Sequence, residues 1–99
     1  MEYSVTYHPE ILHKDLPQIP QNIKATIRKA IERRLLIDPF TYGQPLRQSL
    51  KGYRKLRVGD YRVIYRVQRN EIVILKIGHR REVYGRVFPR LTWLKPSEA

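Results

Sequence analysis

The chain is 99 residues long and has no cysteine, so it holds one domain, spanning residues 1–99, with a modest core, and it offers neither disulfides nor thiolate metal sites. It has no apolar run of about 18 residues and no N-terminal segment with a charged start and apolar centre, which excludes a helical membrane span and points to a soluble, cytoplasmic protein. The formal net charge is +11, from 20 Lys plus Arg against 9 Asp plus Glu, with the excess concentrated between Arg47 and Arg90, and such asymmetry points to a polyanionic partner.

Glu2 to Tyr7 alternates and is rich in β formers, with Tyr3, Val5 and Tyr7 on one side, and reads as a strand. Pro9 suits the first turn of a helix, and Glu10 to Leu16 places Ile11, Leu12 and Leu16 at helical spacing before Pro17 ends it. Pro20 opens a second helix in which Ile23, Ile27, Ile31 and Leu35 recur every fourth residue, with Lys24, Arg28, Lys29, Glu32 and Arg33 on the wet side, and Asp38-Pro39 stops it. Phe40 to Gly52, punctuated by Gly43, Pro45 and Gly52, reads as a connecting loop anchored by Leu46 and Leu50, with Arg47 and Lys51 left to meet a ligand.

Tyr53 to Tyr84 reads as three strands and a basic loop. Val58-Gly59-Asp60-Tyr61 is a two-residue hairpin connection with glycine first, as a type II′ turn requires, because its first central residue needs φ > 0. Counting outward, Val58 faces Tyr61, Arg57 faces Arg62, Leu56 faces Val63 and Lys55 faces Ile64. One face then carries Leu56, Val58, Tyr61, Val63, Tyr65 and Val67, and the other Lys55, Arg57, Arg62 and Arg66. A weaker turn at Arg69-Asn70, with Asn70 tolerating the left-handed conformation, returns the chain as Ile72 to Ile77. An even loop pairs Val67 with Ile72, Tyr65 with Ile74 and Arg62 with Ile77, and brings Gly78 to Tyr84 to the rim beside Arg62. Ile64, Val73, Leu75 and Ile77 form an apolar floor on the basic face. Val87, Phe88, Leu91, Trp93 and Leu94 make a short apolar segment that docks back on the domain.

The expected architecture is therefore α+β: an N-terminal strand, a two-helix hairpin, then an antiparallel three-stranded meander, giving a four-stranded sheet with helices on one face. Two arginines opposed across a ladder repel each other. A sheet that keeps Arg57 opposite Arg62, with Lys55 beside them and His79, Arg80 and Arg81 at the rim, looks built to hold phosphate.

The order of elements, with LRVGDYRVIY at 56–65 and GHRREVY at 78–84, resembles the RelE/ParE superfamily of small bacterial and archaeal toxins. The resemblance covers essentially the whole chain, including Lys14-Asp15-Leu16-Pro17 between the helices and the Asp38-Pro39 helix end. Members of the RelE branch cut messenger RNA in the ribosomal A site, and an antitoxin encoded beside them wraps the toxin and masks this surface. The resemblance thus implies an acidic RelB-like antitoxin, the ribosome and messenger RNA as partners, with a toxin monomeric when free and hetero-oligomeric with its antitoxin. It implies Lys55 as general base, Arg62 and Arg80 on the phosphate, Tyr84 stacking on or orienting the base, and Arg47 as a further RNA contact. Three departures stand out. The loop from Gly78 to Tyr84 is shorter than in the best-studied branch, so Arg80 and Arg81 compete for one role; Tyr53 occupies the place of a second lysine; and His79 has no counterpart there.

The chemistry fits the residues. RNA is cut without metal when its own 2′-hydroxyl attacks the neighbouring phosphorus, which requires removal of the 2′ proton, neutralisation of the phosphate oxygens and protonation of the leaving 5′ oxygen. Carboxylates are scarce here, so a basic group does the proton work. Lys55, crowded by Arg57 and Arg62, is the candidate base, because like charge favours its neutral form. Arg62 and Arg80 supply forked donors, and Arg57, Arg81, Arg47 and Lys51 bind along the RNA. His79 serves as acid or base, or caps the strand end; Tyr84 stacks on a base, or packs on the sheet. No cofactor is implied, and His8 and His13 lack a third ligand for zinc. A toxin of the same fold that inhibits DNA gyrase without nuclease activity is the alternative reading, and a plain basic RNA-binding module a third.

Overall fold

The hairpin sets the centre of the sheet. In the computed structural model, which describes residues 3–94, Gly59 takes φ +58° as its turn type demands. The strands around it, β3 (Arg54–Val58) and β4 (Tyr61–Gln68), pair in the expected register, Arg57 with Arg62 and Leu56 with Val63. In the second turn Arg69, not Asn70, takes the left-handed conformation, with φ +57°. The chain returns as β5 (Glu71–His79). The N-terminal strand β1 (Ser4–Tyr7) lies parallel to β5 at one edge, Val5 beside Ile72. A two-residue strand, β2 (Gln44–Pro45), adds a fifth strand at the other edge, so the order is β1-β5-β4-β3-β2.

One register detail departs from simple counting. Tyr65 pairs with Ile74, but Ile64 pairs with Lys76, so Leu75 is an extra residue in β5 and everything beyond it is shifted by one. Arg62 therefore faces Gly78 and not Ile77. The bulge also moves Ile77 off the basic face and into the helix-side core beside Val63.

Two cores result. The first helical segment, residues 9–18, and the long helix that starts as Gln21–Ala30 and continues through Ile31–Leu35 cover one face of the sheet. The last turn of the long helix widens, with the Leu36 N–H donating to the Ile31 carbonyl at 3.1 Å. The stripe Ile27, Ile31, Leu35 buries against Leu56, Val63, Tyr65, Ile72 and Ile74, with Ile23 at its margin. Each such side chain contributes about 1.5–3 kcal/mol relative to exposure. On the opposite face Ile64, Val73 and Leu75 are not an open floor. They lie under Val83, Val87, Leu91 and Trp93 from a C-terminal segment that turns at Val83–Arg86 and again at Phe88–Arg90.

The expected loop carries local structure. Asp38 caps the Pro39–Tyr42 turn, its Oδ1 accepting from the Phe40 and Thr41 N–H groups at 3.1 and 3.2 Å. The Tyr65 hydroxyl, at the centre of the first core, donates to the Pro39 carbonyl at 2.6 Å. Gly43 lets the loop come this close, since a Cβ there would sit 1.5 Å from that hydroxyl oxygen.

β1 leaves the sheet after its last bond, the His8 N–H to the Ile74 carbonyl at 2.8 Å, and from there the outer edge of β5 is completed by side chains. The Ile77 N–H donates to Asp15 Oδ2 at 2.9 Å, and Arg90 Nη1 donates to the Leu75 carbonyl at 3.1 Å. Arg90 also holds Asp15 bidentately, Nη1 to Oδ2 at 2.7 Å and Nη2 to Oδ1 at 2.9 Å, and Lys76 Nζ donates to Oδ1 at 3.0 Å. All three side chains are buried.

Burial pushes the Asp15 carboxyl up, but the bonds from Arg90, the Ile77 N–H and Lys76 outweigh it and hold the group below its ordinary value. Its contribution to stability is complete above the unfolded aspartate's value, about 3.9, and is lost as pH falls through the lower folded one. Asp15→Ala, which strands two cations in the interior, is expected to cost about 3–5 kcal/mol of unfolding free energy at pH 7 in a urea titration, and to flatten the decline of stability below about pH 4. A loss within the ±0.5 kcal/mol of an ordinary surface change would contradict this account of the cluster.

Candidate functional site

Paired residues project to the same side of a sheet, so the register places Arg57, Arg62 and Gly78 in one row and Lys55, Ile64 and Lys76 in the next. Arg62 is buried, at 9% exposure, whereas its row partner Arg57 is exposed. Its Nη1 folds back onto the turn and donates to the carbonyls of Gly59 and Tyr61, both at 2.8 Å, which orients the guanidinium. No other nitrogen of Arg62 has a protein acceptor among the described residues.

The rim loop is tied to the hairpin tip. The Arg80 N–H donates to the Asp60 carbonyl at 2.8 Å, and Arg80 Nε lies 3.5 Å from the Asp60 carboxylate, an exposed pair whose value is geometric more than energetic. Asp60, read from sequence only as a turn residue, thus carries Arg80 to the end of the hairpin. Tyr84 comes from the other direction. The C-terminal segment packs Val83 and Val87 on the second core and lays the Tyr84 ring beside β3, where Lys55 Nζ sits 5.7 Å from the ring centroid. Tyr84 is half-buried, so it packs on the sheet and still presents part of its ring.

Comparison with known proteins places the family and the fold. Residues 7–84 match the family model described as the ParE toxin of the type II toxin-antitoxin system parDE. Toxin RelG of Mycobacterium tuberculosis is 33% identical over 88 residues, spanning 87% of this chain and all of that protein; Toxin RelE of the same organism is 34% identical over 73 residues, spanning 72% and 75%. Among solved structures, the toxin-antitoxin complex RelBE2 of Mycobacterium tuberculosis matches with a TM-score of 0.73 at 32% identity, covering 81% of this chain and all of that one. A mutant of Escherichia coli toxin RelE in the free state matches with a TM-score of 0.73 at 20% identity, covering 92% and 99%, and so shares the fold.

The chain belongs to the RelE/ParE superfamily of type II toxins.

Within this toxin the candidate residues divide. Lys55, Arg57 and Arg62 share one face, Tyr84 meets Lys55, and Arg80 is fastened to the tip beside them. His79 is not brought to that face. It pairs with Tyr61, whose ring it meets edge-on at 5.7 Å, and Tyr61 packs against the helix-side core, so the imidazole lies on the other side of the sheet from Arg62. Its Nδ1 accepts from the Arg81 N–H at 3.2 Å, which favours the strand-end capping role over an acid at the phosphate. Arg81 itself is exposed at the rim.

Arg47 and Lys51 are exposed but precede β3, at the far end of the face from Arg57 and Arg62. They extend the basic track and do not join the cluster. Arg54 is structural: its Nη2 donates to the carbonyls of Phe40 and Gly43 at 2.9 and 3.1 Å, and its guanidinium lies 5.2 Å from the Phe40 ring centroid. Arg66 Nη2 donates to the Trp93 carbonyl at 3.2 Å and ties down the C-terminal segment. No group of three His, Asp or Glu residues able to hold a metal ion occurs among the described residues.

Arg57 opposite Arg62 is the clearest cost in the sheet. Arg57→Thr is expected to stabilise the toxin by a few tenths of a kcal/mol in denaturant unfolding, and to lower the salt slope of poly(U) binding by about 0.7 as one phosphate contact is lost. Unchanged stability together with an unchanged slope would show that Arg57 neither repels its partner nor meets a polyanion.

Proposed function

We propose that this toxin cleaves messenger RNA in the ribosomal A site by metal-independent attack of the 2′-hydroxyl, and that an acidic antitoxin neutralises it by covering the same face. The observation that carries the reading is the row Arg57–Arg62 beside Lys55, with Tyr84 against Lys55 and Arg80 at the tip of the same hairpin. In this scheme the Lys55 amine takes the 2′ proton as the 2′ oxygen bonds to phosphorus. Arg62 and Arg80 take up the negative charge that gathers on the non-bridging oxygens. The bond to the 5′ oxygen breaks, and that oxygen takes its proton from solvent, since neither a carboxylic acid nor an imidazole is placed on the Lys55–Arg62 rows among the described residues. The products are a 2′,3′-cyclic phosphate and a free 5′-hydroxyl. Tyr84 stacks on a base of the bound RNA, an interaction worth about 1–3 kcal/mol.

The partners follow from charge and kinship. A face this basic attracts RNA by counterion release. The structurally similar RelBE2 is a toxin-antitoxin complex, which supports an antitoxin for this chain as well.

A second reading has one observation in its favour: the family model that matches residues 7–84 is the one described for ParE toxins, and a gyrase inhibitor of this fold needs no nuclease site.

Brief expression in cells followed by mapping of messenger ends separates the two. Cuts phased with codons inside translated messages, absent with Arg62→Ala plus Arg80→Ala and slowed about 10²–10⁴-fold by Lys55→Ala, are the expected result. Intact messages accompanied by DNA damage would transfer the assignment to gyrase inhibition.

A further inference from the structure

The Asp15 cluster has a second consequence for the site. Val83, Val87 and Arg90 recur at i, i+4 and i+7 along the C-terminal segment and all turn toward the sheet. The two valines bury apolar surface, and apolar contact is non-directional: it holds the segment down without fixing its slide along the sheet or its rotation. The Arg90 fork is directional. It grips both carboxylate oxygens of Asp15 and the Leu75 carbonyl at once, joining the C-terminal segment to the first helix and to the bulge in β5. The other ties hold residues further along. Tyr53 Oη donates to the Leu91 carbonyl and Arg66 to the Trp93 carbonyl, each at 3.2 Å, and Trp93 leans on the His8 ring at 5.1 Å. On the C-terminal side of Tyr84, Arg90 is thus the nearest of these directional contacts to the rest of the fold, while on the N-terminal side the Arg80 N–H to the Asp60 carbonyl holds only the rim loop. Asp15 and Lys76 also pin β5 just before Gly78, the residue paired with Arg62 and lying 3.5 Å, from where its Cβ would be, from the Val83 side chain.

We propose that Asp15 and Arg90 are positioning residues, a buried fork that sets the slide and rotation of the C-terminal segment and so holds the Tyr84 ring on Lys55. The inference rests on reading Lys55 and Tyr84 as parts of the RNA site. A role in stability alone is served as well by hydrocarbon, since apolar replacement of a buried ion cluster is often neutral or stabilising. Hydrocarbon, however, cannot copy the direction of the fork.

That difference supplies the test. The triple variant Asp15→Leu, Lys76→Leu, Arg90→Met removes the charges together; Arg90→Lys keeps a buried cation but cannot form the fork, and is read in the same way if the triple variant does not fold. Folding is checked by thermal unfolding, and the Tyr84–Lys55 contact by the ring-current shift and nuclear Overhauser effects of the Lys55 ε-methylene protons. Messenger cleavage on programmed ribosomes is measured alongside. In a variant folded at the assay temperature, the expected result is loss of the Lys55 shift and a fall in kcat of about tenfold or more at nearly unchanged KM. On a Tyr84→Ala background the same change is expected to cost no further activity, because both act through one ring. A folded variant that keeps the shift and wild-type kcat, or losses that simply multiply with Tyr84→Ala, would overturn the proposal. If the wild-type toxin cuts no RNA, the reading of the site fails, and the Lys55 shift alone decides whether the fork places Tyr84.

Discussion

The register of β4 is the constraint on which the rest of this toxin depends. It is the central strand, and its alternate residues feed two different cores: Val63 and Tyr65 the helix side, Ile64 the C-terminal side, with Arg62 between them at the rim. A slip of one residue would exchange the two faces, turning Arg62 toward the helix-side core and Val63 and Tyr65 away from the side chains they pack against. The turn at Gly59 prevents that slip on the β3 side. On the β5 side the bulge at Leu75 does more than tolerate a mismatch. By adding one residue it lets Ile72 and Ile74 serve the helix core before it and Ile77 serve the same core after it, while Leu75 and Val73 serve the other. The bulge also turns Gly78, which has no side chain, toward Arg62, leaving room for Val83 above it.

Much of this was legible in the sequence, for identifiable reasons. The β3–β4 hairpin is encoded locally by glycine in a two-residue connection, and the helix stripe by a four-residue apolar rhythm; both rules act over short distances and both were met. The bulge was not legible, because an extra residue inside an uninterrupted apolar run, Ile72 to Leu75, leaves no compositional trace. The same bulge keeps the role of His79 open in the sequence, between acid or base and strand-end cap: counting without it puts Ile77 beside Arg62, whereas Gly78 belongs there and His79 opposite Tyr61. The strand Gln44–Pro45 escaped because two residues carry no periodicity. The Asp15–Arg90 pair joins positions 75 residues apart and reads in sequence as two ordinary surface charges. A hint was available in retrospect. Arg90 falls at the helical spacing set by Val83 and Val87, so a charged residue occupies a place where the pattern calls for an apolar one.

The two kinds of charge in the molecule are handled differently. Arg90 and Lys76 are buried with a carboxylate between them and form a directional joint. The candidate site does the reverse: among the described residues, Arg57, Arg62 and Lys55 stand together with no carboxylate on their rows, and the hydrogen bonds of the Arg62 side chain go to turn carbonyls. Carbonyl dipoles orient a guanidinium without cancelling its charge. The fold therefore keeps its positive potential at the rim and accepts the repulsion there, a cost that a bound polyanion or an acidic antitoxin would relieve. An arrangement that loses stability when empty and regains it when occupied has the energetic form of a binding site.

The same contrast explains why the C-terminal segment belongs to the site as well as to the fold. Without it, Ile64, Val73 and Leu75 would be exposed on the face that carries Lys55, and the basic rows would border open apolar surface. With it, the face is divided: Val83, Val87 and Leu91 seal Ile64, Val73 and Leu75, while Arg57 and the rim loop stay exposed and Lys55 half-exposed. Tyr84 sits at the boundary between the sealed and open parts, half in each. An aromatic ring so placed borders Lys55 on one side and the hydrophobic wall of Val83 and Val87 on the other. For the proposed RNA site the ring would offer a base its stacking surface beside Lys55, so the position of this one segment decides both how much of the sheet is dry and where Tyr84 stands.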